Sequence, residues 1–331
     1  MVPGSCNLIM TVANAIDSTD LGFCHSHEHL FIAGGQPEKI NPSMKLDDFD
    51  KTVLELNLFK SNGGSGIVDA QPVGSGRMAD FLLRASIAAN VNIIASTGFL
   101  KPVFYPPEHW IHKMSERQLA DLFTDEIKTG MFIGCDAEYP NVRIPAKAGV
   151  IKTASDSAGI TGEYVKLFTS AAEASKSTGT PILSHTERGA AALEQFQFYN
   201  DNGVDTDSII LCHIDRNLKD FAYLMEIAQT GVFMELDTIG RFKYHSDEDE
   251  AGFIVKLVER GFEDKILLGL DTTRERMKNY GGNLGLDYIK KVFIPLLKSY
   301  GLTDDIIDKF TIKNPAKAFR IKNINGKKGK L

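Results

Sequence analysis

The chain has 331 residues, of which 43% are hydrophobic and 24% are charged, as is ordinary for a globular protein. This composition excludes intrinsically disordered, collagen-like and low-complexity chains, and a chain of this length can bury a core without disulfide or metal staples. The net charge of −6 argues against a nucleic-acid-binding surface, although a local group of lysines and arginines could still bind an anionic small molecule.

The cysteines and the amino-terminal segment predict the compartment. Cys6, Cys24, Cys135 and Cys212 form no C-x-x-C pair, so we expect reduced and mostly buried thiols. The beginning of the chain has neither the basic segment nor the apolar run of a signal peptide. No window approaches the roughly 18 apolar residues of a membrane-spanning helix. These features predict a cytoplasmic protein with no membrane partner.

Short apolar runs alternate with longer amphipathic segments along the chain. The runs are rich in Val, Ile and Leu and have about five residues each, which is typical of strands buried on both faces of a parallel sheet. The predicted strands are 22–27, 66–70, 92–97, 149–152, 181–185, 208–212, 232–236 and 265–270. The predicted helices, several of which end at a glycine, are 77–90, 115–129, 162–177, 219–230, 249–261 and 286–301.

Eight strands that alternate with helices predict an α/β protein, a (β/α)8 TIM barrel, with a doubly wound sheet as the alternative. No linker rich in proline, glycine or serine divides the chain, so we expect a single barrel domain over residues 21–322. A short hairpin is predicted to precede it at 1–20, and a basic tail is predicted to follow it at 323–331.

Several predicted strands end in side chains that bind metals. The first strand leads into HSHEHL, where His27 and His29 are two residues apart and point the same way on an extended chain. His185 ends the fifth strand, His213 follows the sixth, and Asp271 follows the eighth. Because the carboxyl ends of barrel strands converge on one face, these four histidines and one aspartate could hold two divalent ions.

A lysine occupies the same ring of strand ends. Lys152 ends the fourth predicted strand, GVIK, and a structural interpretation lets its side chain extend to solvent. A lysine that is desolvated beside metals can instead lose its proton and capture carbon dioxide, which yields a carbamate able to bridge two ions. The other histidines, His25, His109, His112 and His245, do not match the metal pattern, and His25 is expected in the core.

These segments resemble the motifs of the phosphotriesterase family of the amidohydrolase superfamily, which includes the phosphotriesterase-like lactonases. The matching segments, in the family's order, are TVANAIDSTDLGFCHSHEHL, GIVDAQPVGSGR, NIIASTGF, AGVIKTA, PILSHT, LCHID, LLGLD and KNPAKAF. The resemblance implies a binuclear metal centre. It implies that the more buried ion is bound by His27, His29 and Asp271, and that the more exposed ion is bound by His185 and His213. It also implies that Lys152 is carboxylated and bridges the two ions. It also implies zinc as the metal, with manganese or cobalt as alternatives, and a homodimer.

The sequence departs from the phosphotriesterase pattern at three positions. His25 stands where an apolar residue is expected. Asp215 is retained after His213, but Arg216 replaces a second acid, which weakens any proton relay carried over from the phosphotriesterases. Phe99 occupies a position that is often Tyr or Trp in relatives. A hydrolase of phosphotriesters is therefore not the first choice.

The predicted reaction is hydrolysis of an ester bond, and the favoured ester substrate is a lactone. Two metal ions about 3.5–4 Å apart lower the pKa of a bridging water, so that hydroxide forms at neutral pH and attacks the carbonyl. Asp271 would take the proton and pass it to the leaving oxygen. The alternatives are a metal-dependent phosphoesterase or phosphotriesterase, an N-acyl-homoserine lactonase, and a binding protein without catalytic activity.

Two charged loops follow the seventh and eighth strands, at 237–245 and 271–283. This region of a barrel is a frequent phosphate site, and lysine and arginine both bind phosphate. We therefore expect an anionic substrate, such as a phosphorylated sugar lactone, with its charged group on Lys243 and Arg274. The second choices for this role are Arg241, Arg276 and Tyr280, and the two loops also carry Tyr244 and Lys278.

Overall fold

The computed structural model describes residues 7–323 and contains twelve strands within that range. Numbered along the chain, they are β1 (Leu8–Met10), β2 (Ala15–Asp17), β3 (Cys24–Glu28), β4 (Gly66–Asp69), β5 (Asn92–Gly98), β6 (Phe132–Ile133), β7 (Val142–Arg143), β8 (Val150–Ala154), β9 (Ile182–His185), β10 (Ile209–Cys212), β11 (Phe233–Leu236) and β12 (Ile266–Leu268). Cys6, the beginning of the predicted hairpin and residues 324–331 of the predicted tail lie outside the described residues.

Eight of these strands form one parallel sheet that closes into a barrel. Their spatial order is β3, β4, β5, β8, β9, β10, β11 and β12. The last strand returns to the first, because Ser26 donates its hydroxyl to the carbonyl oxygen of Leu268 at 2.7 Å and the amide of Asp271 donates to His27 at 3.0 Å. The structure confirms the predicted (β/α)8 TIM barrel and excludes the doubly wound sheet. All eight predicted strands are present, and no bound shifts by more than two residues.

Helices surround the barrel. They are α1 (Gln36–Ile40), α2 (Phe49–Ser61), α3 (Ala79–Ala89), α4 (Trp110–Lys113), α5 (Glu116–Lys128), α6 (Glu163–Thr178), α7 (Ala192–Asp201), α8 (Phe221–Gln229), α9 (Asp247–Val258), α10 (Ile294–Ser299), α11 (Asp304–Asp308) and α12 (Asn314–Ala318). The sequence analysis missed α1, α2, α4, α7, α11 and α12. The predicted helix 286–301 is instead a π-helical turn, Ile289–Phe293, followed by α10.

The two faces of the sheet explain where polar side chains can collect. The outer face packs on the helices through the larger apolar cluster. Inside the barrel, a second apolar cluster includes Ile9 of the hairpin β1–β2 together with Val150 and Phe233, which begin their strands. Side chains alternate along a strand, so the interior positions further along β8 and β11 belong to Lys152 and Glu235. The amino-terminal end of the barrel is therefore apolar, and the carboxyl end is polar.

Two further expectations concern cysteines and membranes. Cys24, Cys135 and Cys212 are free and buried. Among residues 7–323, no helix combines the length and the apolar character that crossing a bilayer requires.

Candidate active site

The six predicted metal-binding side chains meet at the carboxyl ends of the barrel strands. They line one pocket of about 200 Å³, together with side chains of the surrounding loops. Nε2 of His29 lies 3.4 Å from Oδ1 of Asp271, and Nε2 of His27 lies 3.9 Å from the same oxygen. The ring centroids of His213 and His185 are 4.4 Å apart, and those of His213 and His27 are 4.9 Å apart. Residues up to 244 positions apart in the chain therefore form one cluster.

A β-bulge sets the direction of the first two histidines. The pairing of β3 with β4 shifts register between His25 and Glu28, which interrupts the simple alternation of side chains. His27 reaches the pocket, whereas His25 is fully buried, with its Nδ1 2.8 Å from Oε1 of Glu28 and its ring edge-on to Phe59. His25 therefore lies in the core, outside the ligand cluster.

Lys152 lies on the floor of the cluster. Its side chain is 1% exposed, and its Nζ lies 3.3 Å from Nε2 of His27 and 3.9 Å from Sγ of Cys212. The structure describes no carboxylate within ion-pair distance of this nitrogen. A buried ammonium without a counter-ion beside imidazoles is costly. Cys212 is a neighbour that the sequence analysis did not identify.

Two acids on β11 and just beyond it orient the imidazoles. Nδ1 of His27 lies 2.6 Å from Oε2 of Glu235, and Nδ1 of His213 lies 2.6 Å from Oδ1 of Asp237. Asp237 also accepts a hydrogen bond from the backbone amide of His213 at 3.1 Å. A carboxylate on Nδ1 leaves Nε2 free as a metal ligand. Sequence analysis missed both acids, although two carboxylates at alternate positions of a buried strand were a visible signal.

The protonation states suit metal binding. Burial holds the pKa of His27 well below its usual value, and burial and Arg216 do the same for His213. Burial lowers the pKa of His185 to about 4. Neutral imidazole is the form that binds metals. Among the described residues, buried Nε2 of His185 has no hydrogen-bond partner, as expected where an ion takes the place of a donor.

Asp271 is held by two arginines. NH2 of Arg216 donates to its Oδ2, and NH2 of Arg241 lies 3.1 Å from the same oxygen. Burial by itself raises the pKa of Asp271, but Arg241, His29 and Arg216 outweigh burial and hold this pKa well below the usual value. The carboxylate is therefore ionised, with Oδ2 occupied by arginines and Oδ1 facing His29. Arg216, which marked a departure from the phosphotriesterase pattern, is thus part of the site.

A family model described as the phosphotriesterase family matches residues 7–319. The chain belongs to the phosphotriesterase family. Among its relatives is a phospho-furanose lactonase of Mycoplasmopsis synoviae, which is 33% identical, with 92% of this chain and 89% of the relative covered. This membership makes the chain a hydrolase that acts on ester bonds, in a family whose members depend on metals.

Solved structures of this family share the whole fold. An amidohydrolase from Mycoplasma synoviae superposes with a TM-score of 0.91 at 30% identity and covers 96% of this chain and 92% of its own. A lactonase from Listeria monocytogenes superposes with a TM-score of 0.87 at 30% identity and covers 96% of this chain and 100% of its own. The likeness therefore extends over almost the whole chain.

The residues predicted to bind the charged group of the substrate differ from one another in exposure and in hydrogen-bond partners. Lys243 and Arg274 are exposed, and the structure describes no ion pair for either side chain. Arg241 donates to the carbonyl oxygen of Asp271 as well as to its carboxylate, and Arg276 donates to the carbonyl oxygens of Leu270 and Ile239. These two guanidinium groups therefore stabilise the loops, and burial lowers the pKa of Arg276 to about 10.

Tyr280 and Phe99 lie away from the metal-binding cluster. The Tyr280 hydroxyl hydrogen-bonds Thr52 and the carbonyl oxygen of Asp48, both at 2.7 Å, so the structure does not bring it to the pocket. Phe99 is fully buried, with its ring centroid 5.5 Å from that of Phe168. The apolar wall of the pocket comes instead from Met44, Leu100 and Phe104, which sequence analysis did not single out.

Two further cavities adjoin the metal-binding pocket. One, of about 270 Å³, includes Lys243 and Arg276 and shares Asn41, Arg241 and Thr273 with that pocket. The other is a wider groove of about 850 Å³ that shares Arg216 with the metal-binding pocket. Its lining includes the cations Arg188, Lys219, Lys243 and Lys256. A substrate bound at the strand ends could therefore extend in either direction towards positive charge.

Proposed function

We propose that the protein is a binuclear metal-dependent lactonase that opens the ring of an anionic lactone, such as a phosphorylated sugar lactone. This proposal rests on the position of the cavity that contains Lys243, directly beside the metal-binding pocket. The two spaces share the lining residues Asn41, Arg241 and Thr273. A lactone carbonyl at the strand ends would leave its charged substituent facing Lys243. The resemblance to two proteins that are named as lactonases supports the same conclusion.

The donor set fits two divalent ions, which when bound would supply an activated water and polarise the substrate's carbonyl oxygen. The available ligand atoms are the Nε2 atoms of His27, His29, His185 and His213 and a carboxylate oxygen of Asp271. We propose Zn²⁺ as the metal and Lys152 as a carbamate, because a buried lysine amid these ligands otherwise lacks a counter-ion. Metal loading of the apoprotein should then increase with added bicarbonate, and Lys152→Met should abolish that dependence.

Asp271 moves the proton in this mechanism. As water adds to the carbonyl carbon, Oδ1 of Asp271 accepts a proton and returns it to the ring oxygen when the carbon–oxygen bond breaks. Arg216 and Arg241 hold Oδ2, so the carboxylate cannot rotate away from the ligand cluster. The products are an open-chain acid and a free hydroxyl on one molecule.

The test compares kcat/KM for a sugar lactone with and without its phosphate, in the wild type and in Lys243→Ala. Arg274 lines neither the metal-binding pocket nor the cavity of Lys243, so only Lys243 is substituted. We expect the wild type to prefer the phosphorylated lactone, and Lys243→Ala to lose roughly tenfold to a hundredfold on that substrate alone, as a lost charge-assisted contact predicts. Lys298→Ala is the matched control, because Lys298 forms an exposed ion pair with Asp304 and lines none of these pockets. Equal kcat/KM for both lactones would overturn the assignment of an anionic substrate.

The same assay separates this proposal from phosphoester hydrolysis. A lactonase yields the ring-opened acid and leaves the phosphate attached, whereas a phosphoesterase or phosphotriesterase releases phosphate or an alcohol. Release of inorganic phosphate from the phosphorylated lactone, with the ring intact, would show that the phosphate is the reaction centre.

A further inference from the structure

A second cluster of metal-binding side chains lies behind the active site, where the loop after β11 meets α9. Asp215, His245 and Glu250 each offer one donor atom, and these three atoms lie within 4.8 Å of one another. Asp215 and Glu250 are fully buried, and the His245 side chain is only 8% exposed. Two acids and an imidazole in such a place require a compensating charge.

Three polar atoms of this cluster lack a hydrogen-bond partner among the described residues. Neither carboxylate oxygen of Glu250 has a hydrogen-bond partner, and neither does Nε2 of His245. Nδ1 of His245 lies 2.9 Å from the carbonyl oxygen of Ser246, which can only accept, so Nδ1 carries a proton and Nε2 is the atom left to bind an ion. Nε2 faces Oε2 of Glu250 at 3.5 Å, beyond the usual length of a hydrogen bond. A cation between these two atoms would bind both.

The spacing suits a transition-metal ion. An ion bound tetrahedrally, with ligand distances near 2.1 Å, places its ligand atoms about 3.4 Å apart. We propose that Asp215, His245 and Glu250 bind a third divalent cation of the zinc or manganese class, separate from the two at the strand ends. An imidazole whose other nitrogen donates to a backbone carbonyl is the usual arrangement of a histidine that binds a metal.

Asp215 is oriented for the same role. Its Oδ2 accepts from the amide of Thr238 at 2.6 Å, and its Oδ1 accepts from the Thr238 hydroxyl at 2.8 Å. Each carboxylate oxygen has a second lone pair, so these bonds fix the group without consuming its capacity to bind a metal. Ligands that are themselves hydrogen-bonded are typical of metal sites.

The rival occupant of this position is a proton. Burial and the neighbouring Asp215 carboxylate raise the pKa of Glu250 well above its usual value, so a neutral Glu250 could bond to Asp215. In that case the cluster holds no metal. The two interpretations differ in the number of ions per chain, which can be measured directly.

A cation here would stabilise the substrate loop. Asp215 follows His213 by two residues, His245 ends the loop that carries Lys243, and Glu250 lies in the first turns of α9. One ion would therefore join three segments around the wide groove. His245 lines that groove, which offers the ion a route from solvent.

The experiment is a crystal structure of the chain loaded with Zn²⁺ alone, with an anomalous difference map at the zinc edge and metal analysis of the same protein. We expect a peak among Asp215, His245 and Glu250 besides those at the strand ends, and three ions per chain. Two peaks at the strand ends with none at Glu250 would overturn the proposal. A peak at Glu250 with none at the strand ends would overturn the proposed active centre instead.

A variant pair adds a second measurement in solution. Glu250→Gln should lower the zinc content from three ions to two and keep the two at the strand ends. Glu248→Gln, an exposed residue in the same turn of α9, should retain all three. If Glu250→Gln and the wild type bind the same number of ions, the cluster holds a proton.

Discussion

Two residues of the metal-binding cluster have an unusual backbone conformation. His213 has φ of 62° and Asp271 has φ of 48°, in the left-handed region that residues other than glycine seldom adopt. Such strain costs about 1–3 kcal/mol per residue and persists where the surroundings enforce it. At His213 the surroundings are two hydrogen bonds to Asp237, and at Asp271 they are the arginines on its carboxylate. The strain thus aims both side chains at the pocket.

Asp271→Asn tests proton transfer at this residue. The amide keeps the shape of the side chain but cannot accept a proton, so we expect kcat for lactone opening to fall by about a hundredfold to ten-thousandfold. The metal content of the variant is measured in parallel, because loss of a ligand would also lower activity. If the variant kept its metals and most of its activity, Asp271 would not be the proton acceptor.

Asp237→Asn tests the positioning of the imidazoles. Asp237 contacts both His213, at 2.6 Å, and Nδ1 of His27, at 3.4 Å, so the neutral amide weakens the orientation of two ligands together. We expect metal affinity, measured by competition with a chelator, to fall roughly tenfold to a hundredfold. Asp201→Asn changes an exposed aspartate at the end of α7 and should leave the affinity unchanged. Equal affinity in both variants would argue against the positioning role.

At the scale of elements, the short helix α4 begins with an unusual cap. Nδ1 of His109 accepts a hydrogen bond from the amide of Ile111 at 3.2 Å, and the ring packs near Trp110 and Tyr105. Burial, with a smaller effect of His112, lowers the pKa of His109 to about 4. Protonation would destroy the acceptor and place a charge among aromatic rings. The cap therefore requires neutral imidazole.

This cap predicts a pH-dependent stability. An unfolded His109 binds a proton below a pH of about 6.5, whereas the folded one stays neutral down to about 4. Its contribution is complete above pH 6.5 and is lost as the pH falls through this window. We expect His109→Asn, which keeps a capping oxygen, to melt below the wild type at pH 7, with a smaller difference at pH 4.5.

The control for this prediction is another helix cap that does not titrate. Ser115 caps α5 in a capping box with Gln118. The melting difference between Ser115→Ala and the wild type should be the same at both pH values. A difference for His109→Asn that is equally constant would contradict the assigned pKa.

The elements also show why parts of the fold escaped sequence analysis. The strands were predictable because each is an apolar run buried on both faces. The helix α2 was missed because its buried face carries Glu55, which is fully buried and accepts hydrogen bonds from Asn279 and Leu286 in the segment after β12. A carboxylate on the inner face hides the helical pattern of Leu56 and Phe59. Its partners lie more than 220 positions away, so no local pattern could reveal them.

The candidate site, too, was predictable only in part from the sequence. His27, Lys152 and His213 could be placed together because the ends of barrel strands converge whatever the loops do. The direction of Arg216 could not be predicted, since its partner Asp271 comes from a loop two strands further on. The second cluster of metal-binding side chains was hidden for the same reason, because Asp215, His245 and Glu250 come from separate segments.

At the scale of the whole molecule, one buried ion pair joins the barrel to its outer layer. Arg77 and Glu126 form two hydrogen bonds, at 2.6 and 2.8 Å, and both side chains are fully buried. Arg77 also donates to the carbonyl oxygens of Ser96 in β5 and Phe132 in β6, and Glu126 lies in α5. One guanidinium group thereby connects a barrel strand, a helix and the outer hairpin, with almost every donor satisfied.

Removing one partner of this pair should destabilise the whole barrel. Arg77→Met leaves the Glu126 carboxylate buried without a counter-ion, and a loss of about 3–5 kcal/mol in the free energy of unfolding is expected. The double variant Arg77→Met with Glu126→Leu leaves no buried charge and should recover part of this loss, because desolvation of the pair offsets much of its attraction. Urea unfolding of the wild type, both single variants and the double variant measures the coupling. If the double variant were as unstable as the sum of the two single variants, the pair would act through packing and not through charge.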